Sequence, residues 1–168
     1  MKDQKVIQVS ALLLASRKPS KLKIMAQFHA TAIAIVNAGV LIRGPSGSGK
    51  SDLALRLIDG GAALISDDRV NIEVTGSTLY LSAPTAIRNL IEVRGLGAIS
   101  ISAVQNIPLC LIVNLKPSAE IDRMPEAKSE PINGITIPVI DINPFEISAT
   151  SKIRIALSIQ KESATLIE

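Results

Sequence analysis

Apolar and polar positions fall into short, punctuated runs from residue 31 onward. Thr31 to Val36 and Val40 to Arg43 are β-rich runs separated by Asn37-Ala38-Gly39, a turn signal, and predict a hairpin. Leu53, Ala54, Leu55, Leu57 and Ile58 predict a short buried helix over Lys50 to Asp59, stopped by Gly60-Gly61. Ala63 to Ser66 predicts a strand ending in Asp67-Asp68, and Val70 to Val74 with Leu79 to Ser82 a second hairpin about Gly76. A weak helix is expected over Thr85 to Leu90, strands over Ile99 to Val104, Leu109 to Leu115 and Ile135 to Ile140, and a closing helix through Ile147, Ile153 and Leu157. The polar stretch 116–131, with Pro117 and Pro131, is expected to be a mobile loop.

Length and composition narrow this pattern. With 168 residues, 47% of them hydrophobic and 20% charged, the chain can bury a core and suits one domain. No apolar run approaches the roughly 18–20 residues of a membrane span. The single cysteine, Cys110, excludes an internal disulfide and fits a cytoplasmic setting. Phe28, Tyr80 and Phe145 are the only aromatics, too few for a base-stacking platform.

The net charge of +3 first suggests a polyanion partner. Residues 1–24, however, hold six basic side chains (Lys2, Lys5, Arg17, Lys18, Lys21 and Lys23) against Asp3 alone, a net of +5, which leaves −2 for the remainder. The basicity belongs to a leader, expected to be disordered or a non-native start with Met25 as an alternative beginning, ahead of a folded domain over 25–168. Its apolar stretch, Val9 to Ala15, is too short and too interrupted for a secretory signal. Neither nucleic acid nor membrane is expected as a partner.

Gly44-Pro45-Ser46-Gly47-Ser48-Gly49-Lys50-Ser51 matches Gly-x4-Gly-Lys-Ser between a strand and a helix, the context of a phosphate-binding P-loop. Such a loop wraps its amides around a phosphate at a helix N-terminus, with Lys50 neutralising the β/γ-phosphates and the Ser51 hydroxyl on Mg²⁺. The helix carries the chain roughly 15 Å away at ~1.5 Å per residue. The following strand returns it, parallel to Val40 to Arg43, so Asp67 and Asp68 emerge beside the loop. Two acids there suit metal coordination and acceptance of a hydroxyl proton, or are simply a turn pair. If the hairpin turn centres on Ala38, Gly44 lies opposite Ala32 and His29 projects to the level of Gly47. His29 is then either a surface histidine or a proton-handling group. Glu92 and Arg94 could serve Mg²⁺ and a transferring phosphoryl, or form a surface pair at a glycine turn. Asp122-Arg123 alone reads as a solvated pair, and Cys110 as a small buried hydrophobe.

Together these residues resemble the catalytic domain of bacterial HPr kinase/phosphorylase over about 29–141. His29 stands 15 residues before Gly44, Ala63-Leu64-Ile65-Ser66-Asp67-Asp68-Arg69-Val70 follows the loop, Glu92-Val93-Arg94-Gly95-Leu96-Gly97 resembles the family signature, and Asp122-Arg123 falls at its Asp-Arg loop. The resemblance implies an α/β P-loop kinase domain with a mixed central sheet, similar also to phosphoenolpyruvate carboxykinase cores. It implies His29, Lys50, Asp68 and Arg123 as active-site residues, with Asp68 taking the proton of the attacking serine. It implies ATP bound by Gly44 to Ser51, Mg²⁺ held by Ser51 and Glu92, and HPr or a homologue as the acceptor, in control of the phosphotransferase system. Homo-oligomerisation, as hexamers, is implied as well. Full-length members carry a further N-terminal domain, so a short, kinase-domain-only form is expected. Pro138 to Pro144 lacks the Arg- and Gly-rich sequence that the family ties to dephosphorylation, which leaves phosphorolysis and sugar-phosphate control open. The competing readings are a small-molecule P-loop kinase and a nucleotide-binding regulator without turnover.

Overall fold

The structure, a computed structural model, describes residues 24–165; the leader is outside the described residues except for its last position. In chain order the strands are β1 (Ile24–His29), β2 (Thr31–Ile35), β3 (Ala38–Arg43), β4 (Ala63–Ser66), β5 (Arg69–Thr75), β6 (Thr78–Ser82), β7 (Leu90–Val93), β8 (Gly97–Ser100), β9 (Ile107–Leu115), β10 (Lys128–Ile132) and β11 (Ile135–Ile142). The helices are α1 (Lys50–Asp59), between β3 and β4, and α2 (Ala149–Thr165), after β11. Nine strands form one mixed sheet, in the order β1-β5-β6-β9-β3-β2-β4, with β11 and then β10 continuing from the far half of β9. Its centre is parallel, β3 on β9 and β9 on β11, while β2 runs antiparallel to both β3 and β4. β4 therefore runs parallel to β3, as the crossover argument requires, but β2 separates the two.

Strand β3 is buried on both faces, which explains its unbroken apolar reading. Val40 and Ile42 face α1 and α2, packing with Leu53, Leu57, Leu111 and Ile153. Leu41 faces the other way, into a second layer with Ile65, Val70, Ile72, Leu81 and Ile112.

Several expectations change. The β2–β3 turn is Val36-Asn37, both at positive φ (45° and 62°), so Ala32 pairs with Leu41 and not with Gly44. Gly39 lies within β3, where a Cβ would come 2.6 Å from the Pro108 carbonyl oxygen; it permits a close strand approach, not a turn. Strand β1, paired with β5, was not foreseen. The helix expected at 85–90 is only a 3₁₀ turn, Thr85–Ile87. The strand expected over Ile99 to Val104 is limited to the end of β8, beyond which Ala103 makes a single bridge with Leu64 and the Gln105 side-chain oxygen accepts from the Ala83 amide (2.7 Å). Glu92 to Gly97 lies in a separate two-stranded ribbon, β7 with β8. The stretch 116–131 contains a 3₁₀ turn, Ser118–Glu120, and most of β10.

Candidate active site

The C-terminal ends of β3, β4, β9 and β11 point the same way and gather four loops: 44–49, 67–68, 116–118 and 143–145. This is the edge where ligands bind in such sheets. The loop after β3 is anchored at its entry by Arg43. Its guanidinium forms a bidentate pair with Glu130 (2.9 and 2.8 Å) and its Nε donates to Asn114 Oδ1 (3.0 Å). The hydrogen bonds from Arg43 hold the Glu130 carboxyl below the usual carboxylate range. Gly49, at φ 94°, turns the chain into α1 without a side-chain cap, leaving first-turn amides to face an anion. Gly44 is closely packed: a Cβ there would sit 2.5 Å from Ser48 Oγ and 3.1 Å from Leu115 Cβ. That Ser48 hydroxyl is buried with no partner among the described residues.

Lys50 is 7% exposed and lies along the loop, its ammonium donating to the carbonyls of Gly44 and Pro45 at 2.9 Å each. One of its three N–H bonds is left for a phosphate oxygen. The Ser51 hydroxyl donates to Asp67 Oδ1 (2.8 Å). Asp67 is 6% exposed and joins three elements: Oδ1 also accepts from the buried Thr31 hydroxyl (2.8 Å), and Oδ2 accepts from the Glu92 amide (3.1 Å). Asp68 turns out to solvent in the left-handed region (φ 68°), where Asp is tolerated better than most residues. His29, at the end of β1 opposite Arg69, places Nε2 2.9 Å from Asp68 Oδ1. Because a carboxylate only accepts, that contact assigns the proton to His29 Nε2.

The structure thus brings together His29, Asp68, Lys50, Ser51 and, through its backbone, Glu92. The Glu92 side chain is exposed. Arg94 lies exposed in the β7–β8 turn. Arg123 lies in the exposed segment between the 118–120 turn and β10, and no hydrogen bond or ion pair joins it to the residues above. Asp67 was recognised in the sequence only as one of a pair; its hub position and Thr31 were missed. A polar residue directly ending an apolar strand was the available signal for Asp67. For Thr31 there was none, since threonine is ordinary in strands.

Among the described residues no three His, Cys, Asp or Glu side chains are gathered as a metal cage. The Ser51 hydroxyl and the Asp67 carboxylate, joined at 2.8 Å, are the hard-oxygen groups that the structure puts together beside the loop, the kind of donor Mg²⁺ takes when substrate phosphates and water complete its shell; Glu92 meets them through its amide. A cavity of about 380 Å³ opens beside the loop, between Pro45 and Phe145. Below it, burial alone would raise the Asp141 carboxyl, but hydrogen bonds from Lys128, Lys116 and Asn114 and the charge of Lys116 outweigh burial and hold it low.

Fold and site together define a phosphate-loop α/β domain with an acid–imidazole pair at its open edge. The family model described as "HPr Serine kinase C-terminal domain" matches residues 20–160. The chain belongs to that family. It is 32% identical over 152 residues to the HPr kinase/phosphorylase of Limosilactobacillus reuteri, covering 83% of this chain and 46% of that one. It is 42% identical over 102 residues to the HPr kinase/phosphorylase of Mycoplasmopsis pulmonis, covering 61% of this chain and 31% of that one. The chain thus spans less than half the length of these relatives. The structure of the HPr(Ser) kinase/phosphatase from Coxiella burnetii superposes with a TM-score of 0.74 at 25% identity, over 83% of this chain and 99% of that one.

Proposed function

We propose that this chain transfers the γ-phosphoryl group of ATP to a seryl hydroxyl of the phosphocarrier HPr or a homologue. The observation that carries the reading is the His29–Asp68 pair, exposed at the loop edge near Lys50 and the Ser51–Asp67 bond. Asp68, 64% exposed, is accessible to a side chain presented by another protein. In the reaction the serine oxygen forms a bond to the γ-phosphorus as the bond to the β-bridging oxygen breaks. Asp68 accepts the serine proton, and the His29 Nε2–H keeps its carboxylate turned toward the edge. Lys50 and the loop amides balance the charge of the triphosphate. Ser51 and Glu92, with Asp67 behind them, would hold Mg²⁺, which supplies charge neutralisation between the β- and γ-phosphates.

Arg123, exposed ahead of β10, would belong to the active site by the family resemblance. Phosphorolysis would use the same Asp68 as proton donor while inorganic phosphate attacks phosphoserine. Assembly as a homo-oligomer, a hexamer in the reading above, is supported by exposed apolar side chains at Leu96, Met124 and Ile147. Among the described residues no helix is long and apolar enough to cross a membrane. A cytoplasmic setting goes with the proposed acceptor. The intact His29–Asp68 pair argues against a regulator without turnover, and no observation favours a small-molecule acceptor.

The test is to incubate the chain with Mg²⁺, ATP and purified HPr and to map phosphoserine by mass spectrometry. Asp68→Asn should abolish transfer while ATP still binds. No transfer by the unaltered chain, with ATP bound, overturns the reading.

A further inference from the structure

The loop accounts for a triphosphate and leaves open what holds the rest of the nucleotide. The 380 Å³ cavity has Pro45 and Ser48 of the loop in its wall, so it is continuous with the phosphate cradle. Its volume is in the ~300–1,000 Å³ range of small-molecule pockets. The other walls come from the ends of β9 (Leu115 to Ser118) and β11 (Asn143 to Phe145). Phe145 is 73% exposed, and its ring edge lies 3.4 Å from where a Gly49 Cβ would be, so the ring stands beside the start of α1. It is one of only three aromatic side chains in the protein and the one left largely uncovered.

Most of the side-chain polar groups of this wall, and many of its backbone groups, are already engaged or buried. Pro45, Pro117 and Pro144 have no N–H to offer. The amides of Ser48, Lys116 and Phe145 donate to Pro45 O (3.2 Å), Ile142 O (3.0 Å) and Asn143 Oδ1 (3.0 Å). The carbonyl of Pro45 accepts from Lys50, that of Pro117 from Glu120, and that of Pro144 from the Arg56 guanidinium. The Asn143 side-chain amide donates to Ser118 Oγ (2.6 Å), and that hydroxyl donates to Glu146 (3.2 Å). The Ser48 hydroxyl is buried against Gly44. The Lys116 ammonium, anchored on Asp141 at 3.0 Å, keeps spare N–H bonds, but acceptors on the edge of either purine satisfy such a donor.

We infer that this cavity takes the nucleoside of the bound nucleotide, with the base stacked on Phe145, and that it grips the base by its face and does not distinguish adenine from guanine. The inference rests on the kinase reading above and deepens it. A site that hydrogen-bonds a distinguishing group rejects the analogue lacking it by ~10⁴–10⁵; a stacking face does not, because every base has one.

Binding of Mg²⁺-ATP, Mg²⁺-GTP and Mg²⁺-tripolyphosphate to the full chain, measured by calorimetry, tests this. ATP and GTP should bind the unaltered chain within about tenfold of each other. Phe145→Ala should weaken both by roughly tenfold, the low end of what a stacked ring contributes per base, and leave tripolyphosphate unchanged. Phe145→Trp should restore binding and, since the protein has no tryptophan, report the stacked base by fluorescence quenching. A preference of more than about a hundredfold for ATP over GTP, or ATP binding unaffected by Phe145→Ala while tripolyphosphate still binds, overturns the inference and leaves the loop reading standing. Failure of all three ligands to bind overturns both.

Discussion

Replacing Asp67 by Asn tests whether this buried carboxylate is what joins β2, α1 and β7. It accepts hydrogen bonds from Thr31 and Ser51 at 2.8 Å and from the Glu92 amide at 3.1 Å, with 6% of the residue exposed. An amide has one oxygen, so its NH₂ must face either the Glu92 N–H or the two hydroxyls, which would then have to turn and accept. Hydrogen bonds to a charged group contribute ~1.5–3 kcal/mol and neutral ones ~0.5–1.5, a difference of about 1 kcal/mol for each bond. Over the bonds made here, and with some relief from no longer burying a charge, Asp67→Asn should cost about 2–3 kcal/mol. For a domain of this size that lowers Tm by roughly 4–12 °C. Thr31→Val keeps the shape, removes one donor, and should cost about 1 kcal/mol. Asp68→Asn, at an exposed position one residue away, is the control and should leave Tm nearly unchanged. Circular dichroism melts of the three variants give the answer. If Asp67→Asn lowers Tm no more than Asp68→Asn does, the carboxylate is not the joint and the account of Thr31, Ser51 and Glu92 fails with it.

Three further outcomes follow from the geometry. Lys50→Met removes the ammonium that bonds Gly44 and Pro45 and, with the one N–H it keeps for a phosphate oxygen, should weaken tripolyphosphate binding by roughly ten- to a hundredfold, one charge-assisted contact's worth; calorimetry reads it, and unchanged affinity refutes the loop's role. Gly49→Ala forces an L residue to φ 94° and sets a methyl 3.4 Å from Phe145, so Tm should fall by a few degrees, with ~1–2 kcal/mol from the backbone, and nucleotide binding should weaken. Asp141 has a folded pKa held below its unfolded value, so its contribution to stability is fully present above about pH 3.9 and is lost as pH falls through the lower, folded value. The acid limb of a urea-unfolding series against pH should therefore flatten in Asp141→Asn, and an unchanged limb would exclude that carboxylate as a contributor.

What was legible in the sequence divides by the range of the interactions involved. The loop 44–51, α1 and the acid pair were legible because glycine spacing, apolar periodicity and a strand of known reach are local features. The hairpin register was misread at one point: Gly39 looks like a turn residue but is kept small for the Pro108 carbonyl, and the turn instead sets Val36, a β-branched residue, at positive φ. His29 nevertheless reaches Asp68, through the pairing of β1 with β5 that no local signal announces.

The same distinction explains why the cavity beside the loop was invisible. Lys116-Pro117-Ser118 and Asn143-Pro144-Phe145 read separately as polar, proline-bearing loops after strands. They become two walls of one pocket because β9 lies parallel to β3 in the register Arg43 to Asn114, and β11 parallel to β9 in the register Ile142 to Leu115. Those pairings align the three strand ends, so whatever follows each strand meets at one edge. The Arg43–Glu130 pair sits just inside that edge and ties β3 to β10, and the Lys116–Asp141 pair ties the end of β9 to β11. Breaking either pair should therefore disturb nucleotide binding as well as stability, because the register they support is what assembles the site.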